Sequence, residues 1–127
     1  MDSNIRILAV DDEPDIRQLL RILLENRGYQ VTEASSGEEA LRSLRTDPSY
    51  DLILMDIMMP GLDGVEACRA IRSFSTAPVL FLTAKTQLGD KASAYDSGGD
   101  DFLPKPFSQT ELLMKVESLI RRYRVYK

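Results

Sequence analysis

Histidine is absent from this 127-residue sequence, and cysteine occurs once, as Cys68. Without histidine the chain cannot build a Ser-His-Asp or Cys-His catalytic set, a histidine-liganded zinc site or a phosphohistidine of its own. One cysteine excludes an intrachain disulfide framework and a cysteine-based zinc cluster. Basic charge is the minority sign: 16 Lys and Arg against 20 Asp and Glu give a net charge of −4. That balance argues against nucleic-acid binding through a broad basic face. No apolar run exceeds four residues, so the sequence offers neither a membrane span nor a signal-peptide core. Internal repeats, linkers and low-complexity stretches are also missing. What remains is a chain 43% hydrophobic and 28% charged, the balance of a globular protein. At this length roughly two-thirds of the unfolded surface can be buried. The expectation is one soluble, cytoplasmic domain without metal or disulfide staples.

Short apolar runs alternate with segments of helical period. Residues 5–10 are rich in β-formers and stop at Asp11-Asp12. Pro14 falls where a first helical residue belongs, since its missing N–H costs nothing there. Ile16, Leu19, Leu20, Leu23 and Leu24 follow with the spacing of one helix face, which Gly28 ends. A weaker strand covers 30–34. Ser36 and Glu39 have capping-box spacing ahead of Ala40, Leu41 and Leu44. Residues 51–56 predict a strand buried on both faces, followed by the turn residues Met59-Pro60-Gly61. Asp63 and Glu66 open a third helix with Val65, Cys68 and Ile71 on one face. Residues 79–83 form a fourth run, and 86–97 a weakly periodic helix stopped by Gly98-Gly99. Phe102-Leu103 makes a short fifth strand. Ser108 and Glu111 precede a last stripe of Leu112, Leu113, Val116, Leu119 and Ile120, with a basic tail beyond. Five strands alternating with five helices predict an α/β fold, a doubly wound parallel sheet. Five strands favour the order 2-1-3-4-5 over the six-stranded dinucleotide type.

Open α/β sheets bind ligands beyond the carboxyl ends of their strands, near the reversal of strand order. Asp11 and Asp12 end strand one, Asp56 ends strand three, Thr83 ends strand four and Lys105 follows strand five. Three carboxylates brought together repel unless positive charge sits among them. A hard divalent cation such as Mg²⁺ suits them, because it takes one or two carboxylates and leaves positions for phosphate oxygens. Lys105 adds a point charge for a phosphoryl oxygen, and Thr83 adds a hydroxyl donor. These parts match phosphoryl transfer to a carboxylate, with Asp56 as nucleophile and Asp11 and Asp12 holding metal. Each residue also has an ordinary reading: acids at strand ends cap helices and turns, and a lysine before proline is commonly a surface charge. The conjunction at four strand ends is what carries the chemistry.

Four stretches stand in a characteristic order and spacing: Val10-Asp11-Asp12-Glu13-Pro14, the stretch from Asp51 to Gly64 that includes Met55-Asp56-Ile57-Met58-Met59-Pro60-Gly61, Leu82-Thr83-Ala84, and Gly98 to Phe107 with Pro104-Lys105-Pro106. In these residues the chain resembles the receiver domain of two-component response regulators. The resemblance implies the flavodoxin-like receiver fold and a phosphoryl group accepted on Asp56 from a sensor histidine kinase. It implies Mg²⁺ held by Asp12 and Asp56, with Asp11 and the Met58 backbone carbonyl contributing. Thr83 and Lys105 would contact phosphoryl oxygens, and the Lys105–Pro106 bond would be cis. The switch would move Thr83 toward the phosphoryl group while Phe102 turns inward. Slow self-catalysed phosphorylation and dephosphorylation would be the only catalysis, so the chain would not be an enzyme in the ordinary sense.

The C-terminal half is most similar to the OmpR/PhoB class, whose receivers form homodimers through the fourth helix, fifth strand and fifth helix upon phosphorylation. Lys91, Asp100, Asp101, Glu111, Lys115 and Arg122 occupy positions used there for cross-dimer ion pairs. Lys91 would meet Glu111, and Asp101 would meet Lys115 or Arg122. Lys115 in place of arginine and Gly99 in place of alanine depart from that class. The expected organisation is a receiver over 1–122 and the start of a linker over 123–127. DNA would be bound only through a winged-helix domain not contained in this sequence.

Other readings fit less well. An FMN carrier would need a phosphate-cradling loop where Asp-Asp-Glu-Pro stands. A dehalogenase-type phosphatase would need a carboxylate at Met58, and no P-loop motif is present. A phosphate-independent pseudo-receiver acting as a constitutive dimerisation module is the alternative that the intact acid set argues against.

Overall fold

A computed structural model describes residues 4–84, 96 and 98–126. Five strands, β1 (Arg6–Val10), β2 (Gln30–Ala34), β3 (Leu52–Asp56), β4 (Val79–Ala84) and β5 (Asp101–Lys105), form one sheet in the order β2-β1-β3-β4-β5. Every pairing is parallel, so the expected doubly wound order is the observed one. Four helices are described: α1 (Pro14–Glu25), α2 (Gly37–Thr46), α3 (Gly64–Ile71) and the C-terminal helix α4 (Gln109–Tyr126). The helix expected over 86–97, and Lys91 within it, lie outside the described residues apart from Asp96.

Side chains alternate across a strand, so apolar runs without polar interruption must have both faces covered. Ile7, Ala9, Leu52, Leu54, Leu80, Leu82 and Leu103 pack under α1 and α4, against Leu20, Leu24, Leu112 and Val116. Leu8, Val10, Ile53, Met55, Val79, Phe81 and Phe102 face α2 and α3, against Leu44, Ala67 and Ile71. The Phe81 and Phe102 rings lie 5.7 Å apart and tilted within this second layer.

The local signals act where expected. Pro14 opens α1 and Gly28, at φ 89°, follows its end. The Ser36 hydroxyl accepts the Glu39 N–H at 3.1 Å. Asp63 and Glu66 complete a reciprocal capping box at 2.9 and 3.1 Å. Two expectations need correction. Leu19 is 42% exposed, so the buried stripe of α1 is narrower than its spacing implied. The fifth strand is longer than Phe102-Leu103, because pairing to β4 continues through Pro104 to Lys105. The residues expected to start a linker, 123–126, continue α4 in helical form to Tyr126. No glycine or proline interrupts 107–127, and Arg124 is tied to Asp51 at 3.4 Å. Among the described residues no helix is long and apolar enough to cross a membrane.

Candidate functional site

Strand register brings the acids together. Val10 pairs with Met55 and Asp56 with Leu82, so Asp11, one residue beyond β1, stands level with Asp56 at the end of β3. Thr83 pairs with Pro104 and Ala84 with Lys105 on the next two strands. One carboxylate oxygen from each of Asp11, Asp12 and Asp56 lies within 4.8 Å of the others. Asp11 and Asp56 are buried and Asp12 is exposed, which leaves the cluster open on one side.

Each buried acid has a defined partner. Asp11 Oδ1 accepts the Glu13 N–H at 2.9 Å, and its Oδ2 accepts from Lys105 Nζ at 3.0 Å. The same ammonium lies 3.4 Å from Asp56 Oδ1 and 3.8 Å from Glu13 Oε1. Burial and then the neighbouring Asp11 charge push the Asp56 carboxyl up to about 7, against the opposing pull of Lys105. Burial works to lower the Lys105 ammonium, but Asp11 and Asp56 outweigh it and raise it. The Thr83 hydroxyl, fully buried, donates to the Ala84 carbonyl at 3.2 Å. The Lys105–Pro106 bond is cis. Met58 is 58% exposed beside the cluster, and Phe102 is buried against Phe81.

The connection that follows Asp56 is packed tightly. Gly64 lies so close to β3 that a Cβ would overlap the Asp56 carbonyl and come within 2.9 Å of Ile57 Cα. Gly61 holds φ 74°, and the Glu38 carboxylate from α2 accepts the Leu62 N–H at 3.2 Å. This anchoring by Glu38 was not read from the sequence. Nor was Arg17, whose Nη1 donates to the Asp11 carbonyl at 2.7 Å. Both belong to polar helix faces, where the spacing of apolar residues carries no information.

The donor set fits a hard divalent cation. It consists of carboxylate oxygens only, three acids against one ammonium, and Asp56 is raised first by its burial and then by the Asp11 charge beside it. Such a set can hold a cation, balance added phosphoryl oxygens and present a buried carboxylate as nucleophile.

The residues expected on a dimer face are placed differently from one another. Asp101 and Lys115 meet at 3.1 Å within a single chain, so this pair needs no second copy. Asp100 is also engaged internally, accepting the Val79 N–H at 2.9 Å and pairing with Arg72 at 3.2 Å. Glu111 and Arg122 are exposed on α4, and Arg122 reaches only as far as Ser118 of its own helix at 3.4 Å among the contacts described.

The family model for the response regulator receiver domain matches residues 7–117. The chain is 45% identical over 120 residues to the transcriptional regulatory protein ResD of Bacillus subtilis, covering 94% of this chain and 50% of that protein. It is 44% identical over 119 residues to the response regulator MprA of Mycobacterium leprae, covering 93% of this chain and 52% of that one. The chain thus spans about half the length of these curated relatives. A response regulator receiver domain protein from Clostridium thermocellum superposes with a TM-score of 0.91 at 30% identity, covering 97% of this chain and 99% of that one.

Proposed function

The chain belongs to the response regulator receiver domain family, and from that premise we propose that Asp56 accepts a phosphoryl group from the phosphohistidine of a sensor histidine kinase. The observation that carries this reading is one cluster: buried Asp56 beside Asp11 and Asp12, with the Lys105 ammonium 3.4 Å from its carboxylate. An Asp56 oxygen forms the bond to phosphorus as the phosphorus–nitrogen bond to the imidazole breaks, and the imidazole leaves. Lys105 is placed to offset charge on the transferred oxygens, and burial keeps water from competing. Thr83, on the adjacent strand, supplies a hydroxyl once it turns from the Ala84 carbonyl.

Mg²⁺ is the cation that suits this reading; Asp11, Asp12 and Asp56 would hold it, with the Met58 carbonyl as a further ligand. When bound it would neutralise the acids and the incoming phosphoryl oxygens. In this reading the chain is a phosphoacceptor switch, and acylphosphate formation and loss are the chemistry assigned to it.

The switch would run through Thr83 and Phe102 to the face made by β5 and α4, where two phosphorylated copies would pair. Glu111 and Arg122 are the exposed α4 residues that would contribute, while Lys115 is engaged by Asp101 of its own chain. Control of transcription is proposed by analogy with relatives named as transcriptional regulatory proteins. This chain's own charge of −4 argues against DNA binding through a broad basic face.

Intact-mass analysis after incubation with acetyl phosphate tests the central step. One added phosphoryl group is expected on the parent with Mg²⁺, and none on Asp56→Ala or after chelation. An unmodified parent would leave a phosphate-independent pairing module as the better reading.

A further inference from the structure

Two bonds grip the acid loop between β1 and α1. The Asp11 N–H donates to the Ala34 carbonyl at 3.2 Å, holding the peptide that enters Asp11. The Asp11 carbonyl, on the peptide that leaves it, accepts from Arg17 Nη1 at 2.7 Å. The Arg17 guanidinium is itself fixed, because its Nε pairs with Glu33 Oε1 at 3.1 Å. Glu33 Oε2 is held in turn by Arg21 at 2.6 Å, and Arg21 also pairs with Glu25 at 2.9 Å. The Arg17 side chain is only 17% exposed, so this bridge from α1 to β2 and the loop is largely screened from solvent.

A peptide unit is planar, so fixing the direction of the Asp11 carbonyl also fixes the Asp12 N–H and the position of the Asp12 Cα. Asp12 is the exposed member of the carboxylate cluster, the one whose aim burial does not determine. We propose that Arg17 is a positioning residue for cation binding: by holding the Asp11 carbonyl it orients the Asp11–Asp12 peptide and aims the Asp12 carboxylate into the cluster. Arginine suits this role because its planar fork reaches two acceptors at once, one on Glu33 and one on the loop. Lysine would keep the charge and lose one of the two bonds. The inference rests on the receiver reading, in which Asp12 helps to hold the cation.

The test uses the whole chain as parent, Arg17→Met, Arg17→Lys and Arg21→Met. Mg²⁺ is titrated alone, without phosphoryl donor, and followed by amide NMR. Amide hydrogen exchange at Asp12 and Glu13 is measured separately in cation-free buffer. Arg17→Met should raise the Mg²⁺ half-saturation by about 10- to 100-fold, the range found when groups supporting a metal ligand are removed. Arg17→Lys should fall between it and the parent. Arg21→Met removes ion pairs from the same network without touching the loop, and should stay within about twofold of the parent. Exchange at Asp12 and Glu13 should quicken in Arg17→Met and not in Arg21→Met. The proposal is overturned if Arg17→Met binds Mg²⁺ like the parent, or if Arg21→Met weakens binding equally, since Arg17 would then be only a staple between α1 and β2. A parent that ignores Mg²⁺ defeats the receiver reading and the cation role of Arg17 together. In that case the exchange data alone still decide whether Arg17 holds the loop.

Discussion

Burying Asp56 beside Asp11 leaves a carboxyl that ionises near 7 rather than at its ordinary 3.8, and this makes the stability of the fold depend on pH. Between those values the native chain holds a proton that the unfolded chain has released, so the contribution of Asp56 to stability is fully present below about 4. It falls as pH rises toward 7 and then levels. Asp56→Asn removes the ionisation. In cation-free buffer the variant should come close to the parent near pH 4 and exceed it at pH 8 by on the order of 4 kcal/mol, since each of the roughly three pH units of the rise counts about 1.4. Urea unfolding at the two pH values checks this, and a constant difference would show that Asp56 is not the titrating group. Adding Mg²⁺ should shrink the gap, because a bound cation supports the ionised carboxylate. The convergence of Asp11, Asp12, Asp56 and Lys105 was legible because each stands at or next to the end of an apolar run. Arg17, Glu33 and Glu38 were not legible, since a charged residue on a polar helix face has the same appearance whether it faces water or grips a loop.

Among the elements, the β3–α3 connection shows how closely the site depends on backbone packing. Gly64 opens α3 against the Asp56 carbonyl with no space for a methyl group. Gly64→Ala should therefore displace the end of β3 and cost about 1–3 kcal/mol, the range for overpacking a tight site. It should also slow modification of Asp56, with denaturant unfolding and intact mass read on the same sample. Asp63→Ala, which removes the capping box from the same helix, should cost about 1 kcal/mol while leaving the carboxylate cluster in place. A loss of modification as severe as that of Gly64→Ala would show that α3 as a whole, rather than the close approach, orients Asp56. The helix starts were legible because Ser36, Asp63 and Ser108 carry specific capping chemistry. The width of the α1 stripe was not. Spacing puts Leu19 on the apolar side, but whether a flanking position is covered depends on how the helix sits on the sheet, and here it is not.

Across the molecule, the end of the sheet opposite the acid cluster is closed by another buried acid. Asp51, just before β3, accepts the Arg6 N–H at 3.0 Å and pairs with Arg124 of α4 at 3.4 Å. Arg124 is partly exposed, and such pairs contribute little to global stability. Arg124→Ala should change the unfolding free energy by less than about 1 kcal/mol, yet quicken amide exchange over residues 122–126. Uniform exchange across α4 in the variant would show that the pair does not secure the helix end. This tie was hidden because Asp51 and Arg124 are 73 positions apart and nothing in local spacing joins them. The alternation of apolar runs, the helix-start and turn residues and the acids at strand ends were settled by local chemistry. They decided the alternation of buried strands and helices that predicts a parallel sheet, because strand burial and capping act over a few residues, while the strand count only favoured the order seen in the sheet. Distances within the cluster, the rise of Asp56, the internal pairing of Asp101 with Lys115, and the hold of Arg17 on the acid loop came only with the tertiary structure. Each depends on residues from separate elements meeting at a few ångströms, where burial and packing set the strength of every charge.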